Sequence, residues 1–240
     1  MLNKNTFKIS IIIPCFNEFK TINKITARVI NSLKTYNYEN YEIIIVDDQS
    51  TDGTINELNK IKDEKNIKVY FHDVNKGKGA AVHTAIKYSS GDLILIQDAD
   101  LEYDPFDYNN LFLPFFETDA DAVYGSRFMG GGKYVRIHFF WHYLANKILT
   151  FLCNIFTNLN LTDVETGYKV FKSEALKSIN LVEESFAFEP EVTIKLAKKK
   201  MRFYEVPITY NGRSYEEGKK IGLKDAFIAL KTIILYSIKS

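Results

Sequence analysis

Between Lys8 and Gln97 the chain alternates short runs dominated by Ile, Val and Leu with stretches of helical periodicity, each run ending in a polar loop. The runs Lys8–Ile13, Glu42–Val46, Ile67–Phe71 and Asp92–Gln97 are too short for buried helices and mostly too continuous for half-exposed strands. They read as strands covered on both faces. Between them, Phe19–Tyr36 has helical apolar spacing at Ile22, Ile25, Val29 and Leu33, Asp52-Gly53-Thr54 turns into a helix running to about Lys62, and Gly79–Ser89 reads as another helix. Strands alternating with helices imply a doubly wound parallel sheet. The expected fold is α/β: a Rossmann-like, mostly parallel sheet flanked by helices, with a C-terminal amphipathic helix over Gly222–Ile238.

The second half is less regular. Asp121–Tyr124 and Lys200–Ile208 are expected as strands, and His138–Thr157 as a helix rich in aromatics: Phe139, Phe140, Trp141, Tyr143, Phe151 and Phe156. Gly130-Gly131-Gly132 reads as a mobile loop within one domain, not a linker. At 46% apolar and 25% charged residues, the 240-residue chain has material for one large core, which excludes a disordered class. A net charge of +1 removes any global case for nucleic acid, although Lys and Arg cluster between Lys195 and Lys224. Cys15 and Cys153 share no pairing signal, so free thiols in a reducing compartment are expected. The segment Met1-Leu2-Asn3-Lys4 has no signal-peptide character, and no run reaches the ~18 apolar residues of a membrane span.

The strand ends gather Asn17, Glu18, Asp47, Asp48, Asn75, Lys76 and Asp98 at one edge of the sheet. Open α/β sheets bind ligands in the crevice at that edge. Asp98-Ala99-Asp100 places two carboxylates there, a pattern suited to a divalent cation that keeps waters and takes substrate phosphates as ligands. Glu102 adds a third candidate oxygen; a solvated acidic turn closed by Pro105 is the simpler alternative. After the first strand, Pro14-Cys15-Phe16-Asn17-Glu18 could lay Phe16 on a base with Glu18 accepting from a sugar or base, or could cap a helix through Asn17. Asp47 and Asp48 are assigned to ligand, and Asp52 with Thr54 to the turn.

Asn75-Lys76-Gly77-Lys78-Gly79 puts small residues at a helix start but lacks the spacing of an NTPase phosphate loop. Close packing is the expected role, with Lys76 or Lys78 near the site. Arg127, in Gly125-Ser126-Arg127, offers a fork for phosphate, and Thr162–Lys169 adds carboxylates at Asp163 and Glu165. Arg213–Lys220 is either a solvated charge run or a lid whose Arg213 and Lys219 close on a diphosphate. No Ser/His/Asp triad is visible. His72 and His83 lack metal-like companions, and His138 and His142 lack the Glu of a zinc-protease helix and read as interfacial side chains.

In this order, the motifs resemble the family 2 glycosyltransferases of the GT-A fold, specifically the dolichyl-phosphate mannose synthase or polyprenyl-phosphate branch. The cues are Pro14-x-Phe16-Asn17-Glu18, Asp47-Asp48-x-Ser50-Thr51-Asp52-Gly53-Thr54, Asn75-x-Gly77-Lys78-Gly79, Asp98-Ala99-Asp100-Leu101 and Gly125-Ser126-Arg127. Asp163-x-x-Thr166-Gly167-Tyr168-Lys169 and Arg213…Lys219 carry the match into the second half. No Gln-x-x-Arg-Trp is present, which argues against processive polysaccharide synthesis. The absence of an apolar run long enough for a membrane helix points to the shorter, peripheral members.

The resemblance implies one catalytic domain over 1–240, with a nucleotide-binding half (1–105) and an acceptor-binding half (106–240). It implies a nucleotide-diphosphate sugar, GDP-mannose or UDP-glucose, and a divalent cation, Mg or Mn, held by Asp98, Asp100 and Glu102. Donor contacts fall on Pro14, Phe16, Glu18, Val46, Asp47, Asp48, Lys78, Asp98, Ala99, Asp100, Arg127, Arg213 and Lys219, and catalytic roles on Asp100, Arg127, Asp163 and Arg213. The expected reaction is inverting transfer of a hexose to a polyprenyl or dolichyl phosphate. The expected setting is cytoplasmic, peripheral on the cytoplasmic face of a membrane, with a membrane partner subunit left open. Asp163 and Glu165 are the base candidates if the acceptor is a sugar or protein hydroxyl. A nucleotide-sugar-forming nucleotidyltransferase and a non-catalytic nucleotide-sugar binder complete the alternatives.

Overall fold

The computed structural model describes residues 7–130, 136, 139–213, 216 and 223–238, with side chains in the last helix described from 226 onward. Its first half alternates as expected: β1 (Ile9–Cys15), α1 (Ile22–Thr35), β2 (Tyr41–Asp47), α2 (Thr54–Ile61), β3 (Ile67–Phe71), α3 (Lys78–Tyr88) and β4 (Leu93–Ile96). The second half holds α4 (Tyr108–Glu117), β5 (Ala122–Ser126), α5 (Phe140–Thr157), β6 (Lys169–Lys172), α6 (Ser173–Lys177), α7 (Phe188–Lys198), β7 (Phe203–Pro207) and α8 (Leu223–Ile238). The strands form one sheet in the order β3-β2-β1-β4-β6-β5-β7, and only β6 runs antiparallel to its neighbours.

Burial follows position in the sheet. Every residue of β1, β4 and β5 is buried, whereas β3 and β7, at the two edges, are largely half-exposed. Alternate residues of β1 feed two cores. Ile9, Ile11 and Ile13 pack with Ile22, Ile25, Val29 and Leu33 of α1 and with Leu111, Phe112 and Phe115 of α4. Ile12, paired across the sheet with Ile44 and Ile96, faces α3, α5, α7 and α8 through Ala81, Val82, Leu149, Cys153, Val192, Leu196, Ala229 and Ile233. A sheet covered on both faces explains why these strands read as continuous apolar runs.

Four elements were not expected. α4 contains Pro114, a helix breaker in its interior, yet Leu111, Phe112 and Phe115 bury against the sheet and hold it. β6 is only Lys-Val-Phe-Lys, and it begins with a buried lysine. α6 spans a single turn. α7 opens with Pro190 in its first turn, where no backbone donor is needed, and buries Glu189 and Glu191. Cys15 and Cys153 are buried in separate elements and not joined in a disulfide. Among the described residues, no helix is long and apolar enough to cross a membrane. Gly131, Gly132 and His138 lie outside the described residues.

Candidate active site

The C-terminal edges of β1, β2 and β4 open one crevice. Cys15, Asp47 and Phe71 are in register at the ends of β1, β2 and β3, and Gln97 N continues β4 by donating to Ile12 O. Asn17 and Gln49, both at positive φ, let the loops after β1 and β2 fold onto each other. Asn17 N donates to Ser50 Oγ (2.8 Å), Thr51 N to Asn17 Oδ1 (2.8 Å), and Phe19 N to Asp52 Oδ2 (3.1 Å). Asp52 therefore closes this double loop. Phe16 stands 37% exposed at its mouth, while Val46 is buried beneath.

The two aspartates at the end of β2 differ. Asp48 accepts from Lys76 N (2.9 Å) and Gly77 N (2.6 Å) and contacts His72 Nδ1 at 2.7 Å, so its carboxylate clamps the loop between β3 and α3. Asp47, equally buried, accepts from Ser50 N through Oδ2, whereas its Oδ1 has no hydrogen-bond partner. Gly77 lies at φ +101°, where a Cβ would meet Glu184 O at 2.5 Å; a Cβ on Gly79 would strike Glu183 O. These glycines pack the start of α3 against the 183–185 segment, and fix the backbone of Lys78 between them.

The acidic segment after β4 is pinned from below. Gln97 Oε1 accepts from Tyr108 OH and Tyr168 OH, each at 2.7 Å, and Gln97 Nε2 donates to Asp98 O (2.9 Å). Gly167 lets the 163–169 loop back directly onto Asp98 Oδ2, and Gly167 N donates to Tyr103 OH (2.8 Å). Asp98 Oδ1 pairs with Lys78 Nζ at 2.8 Å. Asp100 Oδ2 accepts from Arg213 Nη2 (3.1 Å), whose same nitrogen reaches Glu18 Oε1 at 3.2 Å. Burial, and then the neighbouring Asp98 and Glu102 carboxylates, push Asp100 up to about 7.

Glu102 accepts from Tyr210 OH (2.5 Å) and Arg213 N (2.8 Å). Both oxygens of Glu102, the third carboxylate expected beside Asp98 and Asp100, are engaged in these bonds. Among the described residues no three His, Cys, Asp or Glu side chains converge as a ligand set. Asp98 and Asp100 fit a cation: two half-buried carboxylates share one crevice, and a guanidinium already sits against one of them. A cation that keeps waters and substrate phosphates needs only one or two protein carboxylates.

The second half of the chain supplies Arg127 and Asp163 as a pair. Arg127 Nε and Nη2 donate to Asp163 Oδ2 and Oδ1, both at 2.7 Å, and Asn146 Nδ2 adds a third bond at 2.9 Å. Burial alone would raise the Asp163 carboxyl, but the Arg127 charge and these hydrogen bonds outweigh it and hold it below the usual carboxylate range. Both carboxylate oxygens of Asp163 are thus engaged by Arg127 and Asn146. Glu165 is half-buried beside Glu189; its desolvation and the Glu189 charge push it up to about 8. The 163–169 loop winds around Lys169 Nζ, which donates to Val164 O (2.9 Å) and Thr166 O. The guanidinium of Arg127 lies 5.1 Å from the Tyr210 ring, and Tyr210 OH donates to Glu102, which ties this pair to the acidic segment after β4.

Several members of this site carried no sequence signal. Glu189, Tyr210 and Asn146 lie in segments without a motif, and Tyr103 sits within the acidic turn with nothing to single it out. Gln97 could have been suspected as a polar end to an apolar run. Arg136 donates from Nη1 to Gly212 O (2.8 Å), beside Arg213. Lys219, expected to close with Arg213, lies outside the described residues.

The model of glycosyl transferase family 2 matches residues 10–179. A dolichol-phosphate mannosyltransferase of Pyrococcus furiosus is 30% identical over 217 residues, covering 90% of this chain; the chain spans 60% of that relative's length. An undecaprenyl-phosphate mannosyltransferase of Micrococcus luteus is 27% identical over 222 residues, 88% of this chain and 86% of that one. Among solved structures, glucosyl-3-phosphoglycerate synthase from Mycobacterium tuberculosis, in complex with Mn2+ and UDP-glucose, superposes with a TM-score of 0.73. That match covers 98% of this chain and 80% of the other at 18% identity, a likeness of fold.

Proposed function

The chain belongs to glycosyl transferase family 2, and we propose that it transfers one hexose, with inversion, from a nucleotide-diphosphate sugar to a polyprenyl phosphate. The observation that carries this reading is the crevice where Asp98, Asp100 and Arg213 meet at the strand ends, with Arg127 on its acceptor side. The names of the Pyrococcus and Micrococcus relatives support a polyprenyl phosphate acceptor. The family rules against a nucleotidyltransferase.

GDP-mannose and UDP-glucose are the donors proposed. Phe16 and Pro14 line the nucleoside end, and the unpartnered Oδ1 of Asp47 is an acceptor for a base or ribose donor. Asp48 acts there through the loop that it clamps. Asp98 and Asp100 would hold Mg2+ or Mn2+; when bound, the cation supplies charge neutralisation to the leaving diphosphate. Arg213, already placed among carboxylates, can exchange them for phosphate oxygens, and Arg127 faces the acceptor phosphate. The acceptor oxygen attacks the anomeric carbon as the bond to the diphosphate breaks, and the electron pair leaves with the diphosphate. A phosphate monoester is largely ionised near pH 7, with a second pKa of about 6, so no general base is required. This agrees with an Asp163 held ionised by Arg127.

The partner surface proposed is a lipid bilayer. α5 turns Asn146 toward Asp163 and Thr150 toward Val164 N, and presents Phe140, Trp141, Phe151 and Ile155 outward. α8, packed beside it, adds exposed Phe227 and Ile238. Two apolar helix faces flanking a phosphate-handling crevice suit the headgroup region. The first test is release of nucleoside diphosphate from GDP-mannose or UDP-glucose with Mn2+. Release lowered about 10²-fold or more by Asp100→Asn supports the reading; equal release by the variant contradicts it.

A further inference from the structure

Lys78 serves two carboxylates at once. Its Nζ is 2.8 Å from Asp98 Oδ1 and 3.0 Å from Glu189 Oε1. Its backbone cannot drift, because Gly77 and Gly79 hold the start of α3 against the 183–185 segment. Glu189 is contributed by α7, is buried, and plays no part in the transfer outlined above. Its second oxygen, Oε2, has no hydrogen-bond partner, nor has Oε1 of the neighbouring Glu165. The other buried ammonium nearby, Lys169, is tied to the carbonyls of Val164 and Thr166. Lys78 is thus the ammonium bonded to Glu189, and Asp98 must share it.

An ammonium divided between two anions neutralises each only in part. If Glu189 lost its charge, Lys78 would pair with Asp98 alone, and any cation arriving at Asp98 would compete with a stronger internal rival. Resting on the proposal that Asp98 and Asp100 hold a divalent cation, we infer that Glu189 is a positioning residue: by drawing Lys78 partly away from Asp98, it keeps that carboxylate open to the metal. The residue works through Lys78 and touches neither donor nor acceptor.

The test is Mn2+ binding to the full chain, measured by calorimetric titration without donor or acceptor, with thermal melting as a check on folding. Glu189→Gln keeps the shape and removes the charge; it should weaken Mn2+ binding about tenfold, the scale on which residues behind a metal's ligands act. Glu189→Asp should restore most of that loss. Lys78→Gln alone should bind Mn2+ at least as tightly as the unaltered chain, and adding Glu189→Gln to it should cost little more, since the intermediary is gone. Equal weakening by Glu189→Gln with and without Lys78 would make the effect plain charge at a distance and overturn the inference. So would weaker binding by Lys78→Gln alone. Binding abolished by Asp98→Asn but indifferent to Glu189→Gln overturns this inference and leaves the metal reading standing. No Mn2+ binding by the unaltered chain overturns both.

Discussion

Arg127 and Asp163 show how far residue type alone can be read. Their presence after β5 and before β6 was legible as an arginine and a carboxylate suited to phosphate or base chemistry. Their partnership was not, because 36 residues separate them in the chain and only the fold makes them a fork-to-fork pair. The same holds for Asp48, whose carboxylate turned out to be taken up by the backbone of a loop 28 and 29 residues further on. Removing one member of a buried pair leaves the other charge uncompensated. Arg127→Met should therefore destabilise the chain by about 3 kcal/mol, a fall in melting temperature of roughly 10 °C. The double variant Arg127→Met/Asp163→Leu should recover much of it. An Arg127→Met protein that melts like the unaltered one would refute the pairing.

At the scale of elements, β1, β2 and β4 were readable because each is buried on both faces and so keeps a continuous apolar run. α4, β6 and α7 were not, since tertiary burial there overrides local signals: Pro114 inside one helix, Pro190 at the start of another, and buried Lys169 in a strand. Where elements join, charge has a structural task. Glu42 on β2 accepts from Ser10 of β1 (2.8 Å), Lys68 of β3 (2.7 Å) and Ser90 N before β4 (2.7 Å). Burial opposes its ionisation, but these hydrogen bonds outweigh it and hold Glu42 down to about 2, against 4.5 for the ordinary side chain. A carboxyl lowered on folding stabilises above its unfolded pKa, and the gain is lost as pH falls through the folded value. Stability should drop by on the order of 2 kcal/mol between pH 5 and 2 from this group. Denaturant melts of Glu42→Gln should lack that part of the acid loss; an unchanged profile would remove Glu42 from the account.

For the molecule as a whole, the sequence showed an aromatic helix but not which way its rings point. The fold shows Phe140 and Trp141 65% and 74% exposed, on the helix that carries Asn146 to Asp163. The crevice and the apolar face are thus two sides of one helix, as transfer to a lipid phosphate at a membrane surface would require. Changing Phe139, Phe140 and Trp141 together to Ser should release the folded protein from liposomes; unchanged co-sedimentation would sink the docking proposal. The central claim is tested most directly by incubating the chain with Mn2+ or Mg2+, a short polyprenyl phosphate and each labelled nucleotide-sugar in turn. The account predicts label from one donor entering the organic phase, and its loss in Asp100→Asn. Metal-dependent release of nucleoside diphosphate with no label in the lipid, under conditions where the phosphate acceptor is present in excess, would contradict it.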